Sequence, residues 1–357
     1  MHRYGVERYV TMDRRRLLQG LAGSALLTTG PGPLTGCAPS PRRFDRNPFG
    51  LGVASGDPGP DGMVLWTKIT AAADLERRAV PVRWEIADDD RMIRTVQQGE
   101  TLAHPDLGHA VHVEVAGLAP GRDYFYRFRV GGEASMVGRT RTAPAADAPV
   151  DRLRFAVCGC QRRDEGHYTA YGHLAAEQVD FVYHYGDYIY ESLWRRAQDW
   201  LRVQLGLSGD VPDDGFRTLD YYRRRYALYK SDPLLQAAHA SAPFITIWDD
   251  HEIDNNWAAE ADQFDGPPEL FLLRRAAAFQ VYYEMMPLRR SCMPHGPMMQ
   301  AYRRFAWGDL AEISVLDTRQ YRSNQPCGDG KKTRAQCPEA LAAGRTMLGQ
   351  AQEAWLL

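Results

Sequence analysis

The sequence predicts an α/β layered domain preceded by an all-β sandwich, and two patterns carry that prediction. Between Asn47 and about Pro144 apolar residues recur at every second position, as in Val82, Trp84, Ile86, in Val111, Val113, Val115 and in Tyr124, Tyr126, Phe128, Val130. From Leu153 onward, short apolar runs alternate with helical stretches, the reading of strands buried on both faces. The expected organisation is a segment 1–37 set apart from the fold, a linker 38–46, the sandwich 47–144, a linker 145–152, and the α/β domain 153–357.

Composition agrees with two globular domains. The 357 residues carry 43 basic and 45 acidic side chains, 44% apolar residues, 32 Gly and 22 Pro, which excludes collagen, coiled coil and wholesale disorder. Basic residues are spread along a near-neutral chain and form no nucleic-acid stripe. No apolar run reaches the roughly 20 residues of a membrane span. In the sandwich, Gly117-Leu118-Ala119-Pro120-Gly121 before Tyr124 resembles the tyrosine corner of fibronectin- and immunoglobulin-like sandwiches, where a tyrosine hydroxyl bonds to upstream backbone. His104, His109 and His112 read as surface residues.

Residues 1–37 read as an export signal with a processing site. Asp13-Arg14-Arg15-Arg16-Leu17-Leu18 resembles a twin-arginine motif ahead of a mildly apolar stretch, and Leu34-Thr35-Gly36-Cys37 resembles a lipobox that would place a lipid on Cys37. The expected partners are the twin-arginine translocase during export and a membrane through that lipid. Outside the cell disulfides persist, and Cys327 and Cys337, which enclose a short loop, are expected to pair.

The apolar runs of the α/β domain end in residues capable of chemistry. Leu153–Val157 leads into Cys158-Gly159-Cys160, Phe181–Tyr185 into Gly186-Asp187-Tyr188-Ile189-Tyr190-Glu191, Phe244–Trp248 into Asp249-Asp250-His251-Glu252, and Ile313–Leu316 into Asp317-Thr318-Arg319. Open α/β sheets bind ligands beyond such carboxyl ends. Asp187, Asp250 and Asn255 offer hard oxygens for divalent cations, whereas a Cys160 thiolate and a Tyr190 phenolate suit ferric iron better than calcium or magnesium. Asp187 is the candidate to bridge two metals. Plain structural alternatives stand beside each of these: Gly186-Asp187 as a turn, Asp249-Asp250 as a helix cap, His251 as a partly buried core residue, and Cys160 in a disulfide with Cys158 or Cys292.

Taken together, Gly186-Asp187-x-x-Tyr190-Glu191, Trp248-Asp249-Asp250-His251-Glu252-x-x-Asn255-Asn256 and Leu316-Asp317-Thr318-Arg319-Gln320-Tyr321-Arg322 resemble the PhoD-type alkaline phosphatases, a branch of the calcineurin-like metallophosphoesterases. The likeness extends through Asn47–Pro58, Val64–Thr67, Tyr222-Arg223 to Asp232-Pro233 and Arg274–Tyr283. It implies a metallophosphoesterase-type layered domain, Fe3+ and Ca2+ as cofactors, and hydrolysis of small phosphomonoesters and phosphodiesters outside the cell. Nucleic acid would matter only as a possible phosphodiester substrate. By the same resemblance Cys160, Asp187 and Tyr190 would hold iron, and Asp187 with Asp250 or Asn255 would reach calcium. His251 would protonate the leaving oxygen, and Arg319 would clamp phosphate or else pair with Asp249 or Glu252.

The family's further Gly-Asp-x-His tip does not occur in these residues, and Leu348, Ala351 and Trp355 keep helical spacing up to Leu357. The expectation is therefore an incomplete domain and an inactive truncated form of an exported metallophosphatase. A non-catalytic exported lipoprotein with a binding role is the competing reading.

Overall fold

The first eight strands fill the stretch expected to be all-β: β1 (Val53–Gly56), β2 (Met63–Lys68), β3 (Val80–Ala87), β4 (Thr95–Ala103), β5 (Ala110–Val115), β6 (Asp123–Val130), β7 (Glu133–Ala134) and β8 (Gly138–Arg141). The computed structural model describes residues 44, 46–70, 78–163, 166–191, 217–327 and 337–357, all within one unit spanning Pro41–Leu357. The expected export signal and lipobox, with Cys37, lie outside the described residues. After β8 follow β9 (Phe155–Cys158), α1 (Thr169–Ala176), β10 (Phe181–His184), α2 (Leu219–Lys230), α3 (Pro233–Ser241), β11 (Phe244–Thr246), α4 (Pro268–Met285), β12 (Arg303–Trp307), β13 (Ala311–Val315) and α5 (Gly349–Leu356).

One sheet has the order β4-β3-β6-β7 with β8 on β6, and β6 alternates as its sequence predicts, with Tyr124, Tyr126, Phe128 and Val130 buried. The tyrosine corner is present: the Tyr124 hydroxyl accepts the Ala119 amide at 3.0 Å. The opposing strands do not form a sheet of their own. They belong to a six-stranded sheet of order β5-β2-β1-β11-β10-β9, in which β1 runs parallel to β11 and the pairs β11–β10 and β10–β9 are parallel too. A self-contained sandwich at 47–144 is thus corrected to one that shares a sheet with the α/β part.

The reason lies in β1 and β2. Successive side chains of a strand point to opposite faces. Val53, Met63 and Leu65 enter the core against β3 and β6, whereas Ala54 and Trp66 enter the core of the α/β part. Every residue of β2 is buried, so its run Met63-Val64-Leu65-Trp66 has no polar face, and the edge groups of β1 are satisfied by β11. A second correction concerns the fourth apolar run: β13 pairs antiparallel with β12 in a separate two-stranded ribbon, not in the parallel sheet.

The α4 helix bolts the two parts together. Trp66 Nε1 donates to the Glu284 carbonyl at 3.0 Å, and the buried Glu284 carboxylate takes a two-pronged bond from Arg223 with Lys68 at 3.8 Å. His112, expected on the surface, lies between the carbonyls of Tyr283 (2.9 Å) and Met286 (3.0 Å) and stacks on the Tyr283 ring at 4.5 Å. His109 is buried as well, its Nδ1 3.1 Å from the Ala103 carbonyl. Cys327 and Cys337 form the expected disulfide, with Cα atoms 6.5 Å apart, and Cys158, Cys160 and Cys292 are free.

Burial holds the His112 pKa down at about 4 and that of His184 at about 3. Both stay neutral in the native state while the unfolded chain takes up protons below about 6.5. The contribution of these two histidines to stability should therefore be constant above about pH 6.5 and fall as pH drops toward 4, with a slope of up to about 1.4 kcal/mol per pH unit for each. Denaturant titrations from pH 7 to 4 measure the slope, and it should be shallower in His112→Gln.

Candidate metal centre

Three parallel strands end side by side, and each tip delivers one donor. Beyond β9, the Cys160 amide donates to the Gly186 carbonyl at 3.1 Å, which docks the first tip on the second. Beyond β10, Gly186 has φ +119° and lies so close to the next tip that a Cβ would come within 2.3 Å of the Asp249 nitrogen. Only glycine fits there. Cys160 (φ 50°) and Asp187 (φ 53°) both adopt the left-handed conformation, uncommon for residues with a Cβ and concentrated at functional sites. Beyond β11 the chain turns through Asp249 and Asp250 into His251.

Asp187 is the centre of the constellation. Ligand atoms of Asp187, Asp250 and His251 lie within 4.8 Å of one another. The Tyr190 hydroxyl donates to Asp187 Oδ2 at 3.0 Å, and Cys160, on the neighbouring tip, lies within the field of the Asp187 carboxylate. The Asp250 carboxylate accepts the amides of His251 (3.1 Å) and Asn256 (2.7 Å). Burial, then the neighbouring Asp250, push Asp187 up to about 6. Burial works against ionisation of Asp250 too, but the Arg319 guanidinium and the Asn256 amide overcome it and hold this carboxyl below the usual range. Burial and Asp187 push Cys160 up to about 12 and Tyr190 higher still.

The upward shifts of Asp187, Cys160 and Tyr190 share two causes: burial first, and then the neighbouring acidic groups. A bound metal reverses that balance, because a thiol or phenol at its edge gives up its proton to the metal's charge. A carboxylate that accepts a phenol hydroxyl and lies within 4.8 Å of a second carboxylate and an imidazole therefore fits a metal. The second cluster of potential ligands, Cys327, Cys337 and Glu339, does not, because its two sulfurs are bonded to each other.

His251 Nδ1 is 2.6 Å from Glu191 Oε2, and the His251 ring rests 4.3 Å from that of Tyr190. Glu191 is buried; its other oxygen accepts the Asn255 amide at 3.0 Å and has Arg217 at 3.9 Å. Burial alone would lower the His251 pKa, yet the Glu191 bond and charge raise it to about 9. Asn255 is thus tied to the site through its backbone. Arg319 adopts the alternative role foreseen for it: Nε donates to Asp249 Oδ1 at 2.6 Å and Nη2 lies 3.7 Å from Asp250. Its Nη1 is buried and finds no partner among the described residues. Asp317, fully buried, aims it by accepting the Arg319 and Gln320 amides at 3.0 and 2.9 Å.

Glu191 has no role in the sequence reading, and Glu252, expected only as a possible partner of Arg319, instead accepts the Tyr188 and Asp249 amides. Both are buried carboxylates beside strand tips, and carboxylates are buried only with partners.

Comparison with known proteins decides the family. The PhoD-like phosphatase family model matches residues 155–357, and its N-terminal domain model matches 36–144. The chain belongs to the PhoD-like phosphatase family. It is 45% identical to alkaline phosphatase D of Bacillus subtilis (strain 168), an alignment that covers 97% of this chain and 60% of that protein. A solved structure of PhoD matches with a TM-score of 0.81 and 46% identity over 88% of this chain and 60% of that one. The chain thus spans about 60% of the length of the relatives it matches. The layered α/β architecture with an N-terminal region is common to both.

In this PhoD-like site, the bond from Glu191 predicts the titration of His251. In the metal-free protein the His251 imidazole should titrate well above the ordinary 6.5, near 9. NMR should follow this directly, and Glu191→Gln, which removes the charge and keeps the shape, should move the midpoint down.

Proposed function

We propose that this protein is a metal-dependent phosphoric ester hydrolase acting on small phosphomonoesters and phosphodiesters outside the cell. The observation that carries the reading is Asp187: its carboxylate accepts the Tyr190 hydroxyl at 3.0 Å and lies within 4.8 Å of ligand atoms of Asp250 and His251, on adjacent strand tips. Family membership supplies the reaction class. The name of the Bacillus subtilis relative, alkaline phosphatase D, supports the same choice. The twin-arginine pattern and lipobox support export and attachment through Cys37.

In this reading Cys160, Asp187 and Tyr190 hold Fe3+, the soft thiolate and the phenolate matching a trivalent ion, and Asp187 with Asp250 or Asn255 reaches Ca2+. When bound, the metals supply Lewis acidity toward the phosphoryl oxygens. The chain's own residues do the rest. His251, whose Nδ1 is taken by Glu191, has Nε2 free to deliver a proton to the departing alkoxide. Arg319, anchored through Nε, retains the buried Nη1 to donate to a phosphate oxygen. Asp249 and Asp317 fix the guanidinium so that it meets phosphate already oriented.

Asp187→Asn should remove bound iron and calcium, read by elemental analysis, and with them hydrolysis of nitrophenyl phosphate mono- and diesters; full activity in this variant would sink the assignment. Tyr190→Phe should abolish visible phenolate-to-iron absorption. His251→Gln should lower kcat by roughly 10²- to 10⁴-fold for esters of poor leaving groups, and much less for nitrophenol esters.

A further inference from the structure

We infer that Glu252 is a positioning residue whose carboxylate sets the distance between Asp187 and Asp250 before any metal arrives. The inference rests on the metal reading of this site. Glu252 has no solvent exposure and touches neither substrate space nor its own solvent shell. Its two oxygens go to two different strand tips: Oε1 accepts the Tyr188 amide at 2.6 Å and Oε2 accepts the Asp249 amide at 3.0 Å. Tyr188 follows Asp187 in the chain and Asp249 precedes Asp250. One rigid planar group thereby grips the backbone next to both acidic ligands.

The grip spans a gap that the sheet itself leaves open. The paired residues of the two strands end at His184 and Thr246, and one further bond, from the Ile247 amide to the His184 carbonyl at 3.0 Å, still falls short of both carboxylates. The contact of Gly186 with Asp249 prevents the tips from closing further. Glycine sets the minimum separation and Glu252 the maximum. A metal site preformed in this way avoids reorganising its ligands on binding, which is where residues that orient ligands contribute 10- to 100-fold, on the order of magnitude, in affinity.

The test is Mn2+ binding to the metal-stripped full chain, followed by electron paramagnetic resonance, in the parent protein and in Glu252→Gln. The amide is isosteric but turns an N–H toward one of two backbone N–H groups that need an acceptor. The expected result is a dissociation constant raised about 10- to 100-fold with an unchanged circular dichroism spectrum, while KM for a nitrophenyl phosphate diester at saturating Mn2+ stays near that of the parent. A purely packing role would lower Tm and leave the dissociation constant where it was. A folded Gln variant that binds Mn2+ as tightly as the parent overturns the inference. Should that variant not fold, Glu252→Asp, which keeps the charge but cannot reach both amides, decides: unchanged affinity overturns the inference and weakened affinity supports it. Failure of the parent to bind Mn2+ would instead remove the metal reading, and the spacing role with it.

Discussion

Asp187 and Asp250 repel each other, and much of the described structure serves to keep them together. Their backbones leave adjacent parallel strands, so the strand spacing of about 4.8 Å fixes how near the two can start. Gly186 then brings the tips closer than side chains allow, and Asp187 takes a left-handed conformation to turn its carboxylate inward. The cost shows in the pKa of Asp187, raised to about 6. Arg319 offsets part of it from the far side of Asp250. Strained backbone of this kind persists only where the surroundings over-determine it.

Those surroundings include the N-terminal strands. Because β1 pairs with β11, the strand that carries Asp249 and Asp250 has neighbours on both edges. Asp57, just past β1 and also at positive φ, receives the Arg303 guanidinium at 2.8 Å, and the same guanidinium donates to the Thr246 carbonyl at 2.9 Å at the end of β11. The N-terminal region thus reaches the base of the acidic tip through one half-buried arginine. Trp66, His112 and Lys68 clamp the same region onto α4. The family models divide the chain near residue 150, but the hydrogen bonds and the two cores cross that division.

Much of this was legible in the sequence. Alternation located β3, β5 and β6, and Gly117-Leu118-Ala119-Pro120-Gly121 located the tyrosine corner. The chemistry at strand ends located Asp187, Asp250 and His251, whose ligand atoms the structure brings within 4.8 Å of one another. What failed to show was topology. A strand such as β2, buried on both faces, reads as a plain apolar run, and nothing in such a run says which sheet lies on either side. His112 illustrates the same blindness: an imidazole on an alternating strand reads as surface until the α4 carbonyls that satisfy it are in view. Glu191 and Glu252 were hidden because a buried carboxylate is recognised by its partners, and those partners are backbone amides and one imidazole from distant turns.

The two roles weighed for Arg319 need not exclude each other. A guanidinium carries five N–H donors in a rigid plane, and the bond from Nε to Asp249 engages one edge of it. Fixing that edge removes the rotamer entropy that a mobile arginine loses on gripping phosphate, and leaves the opposite edge pointing away from its anchor. The unpartnered, buried Nη1 is what such an arrangement looks like without an anion. Under the proposed phosphatase function, the salt bridge to Asp249 would support a phosphate-binding group and not replace it.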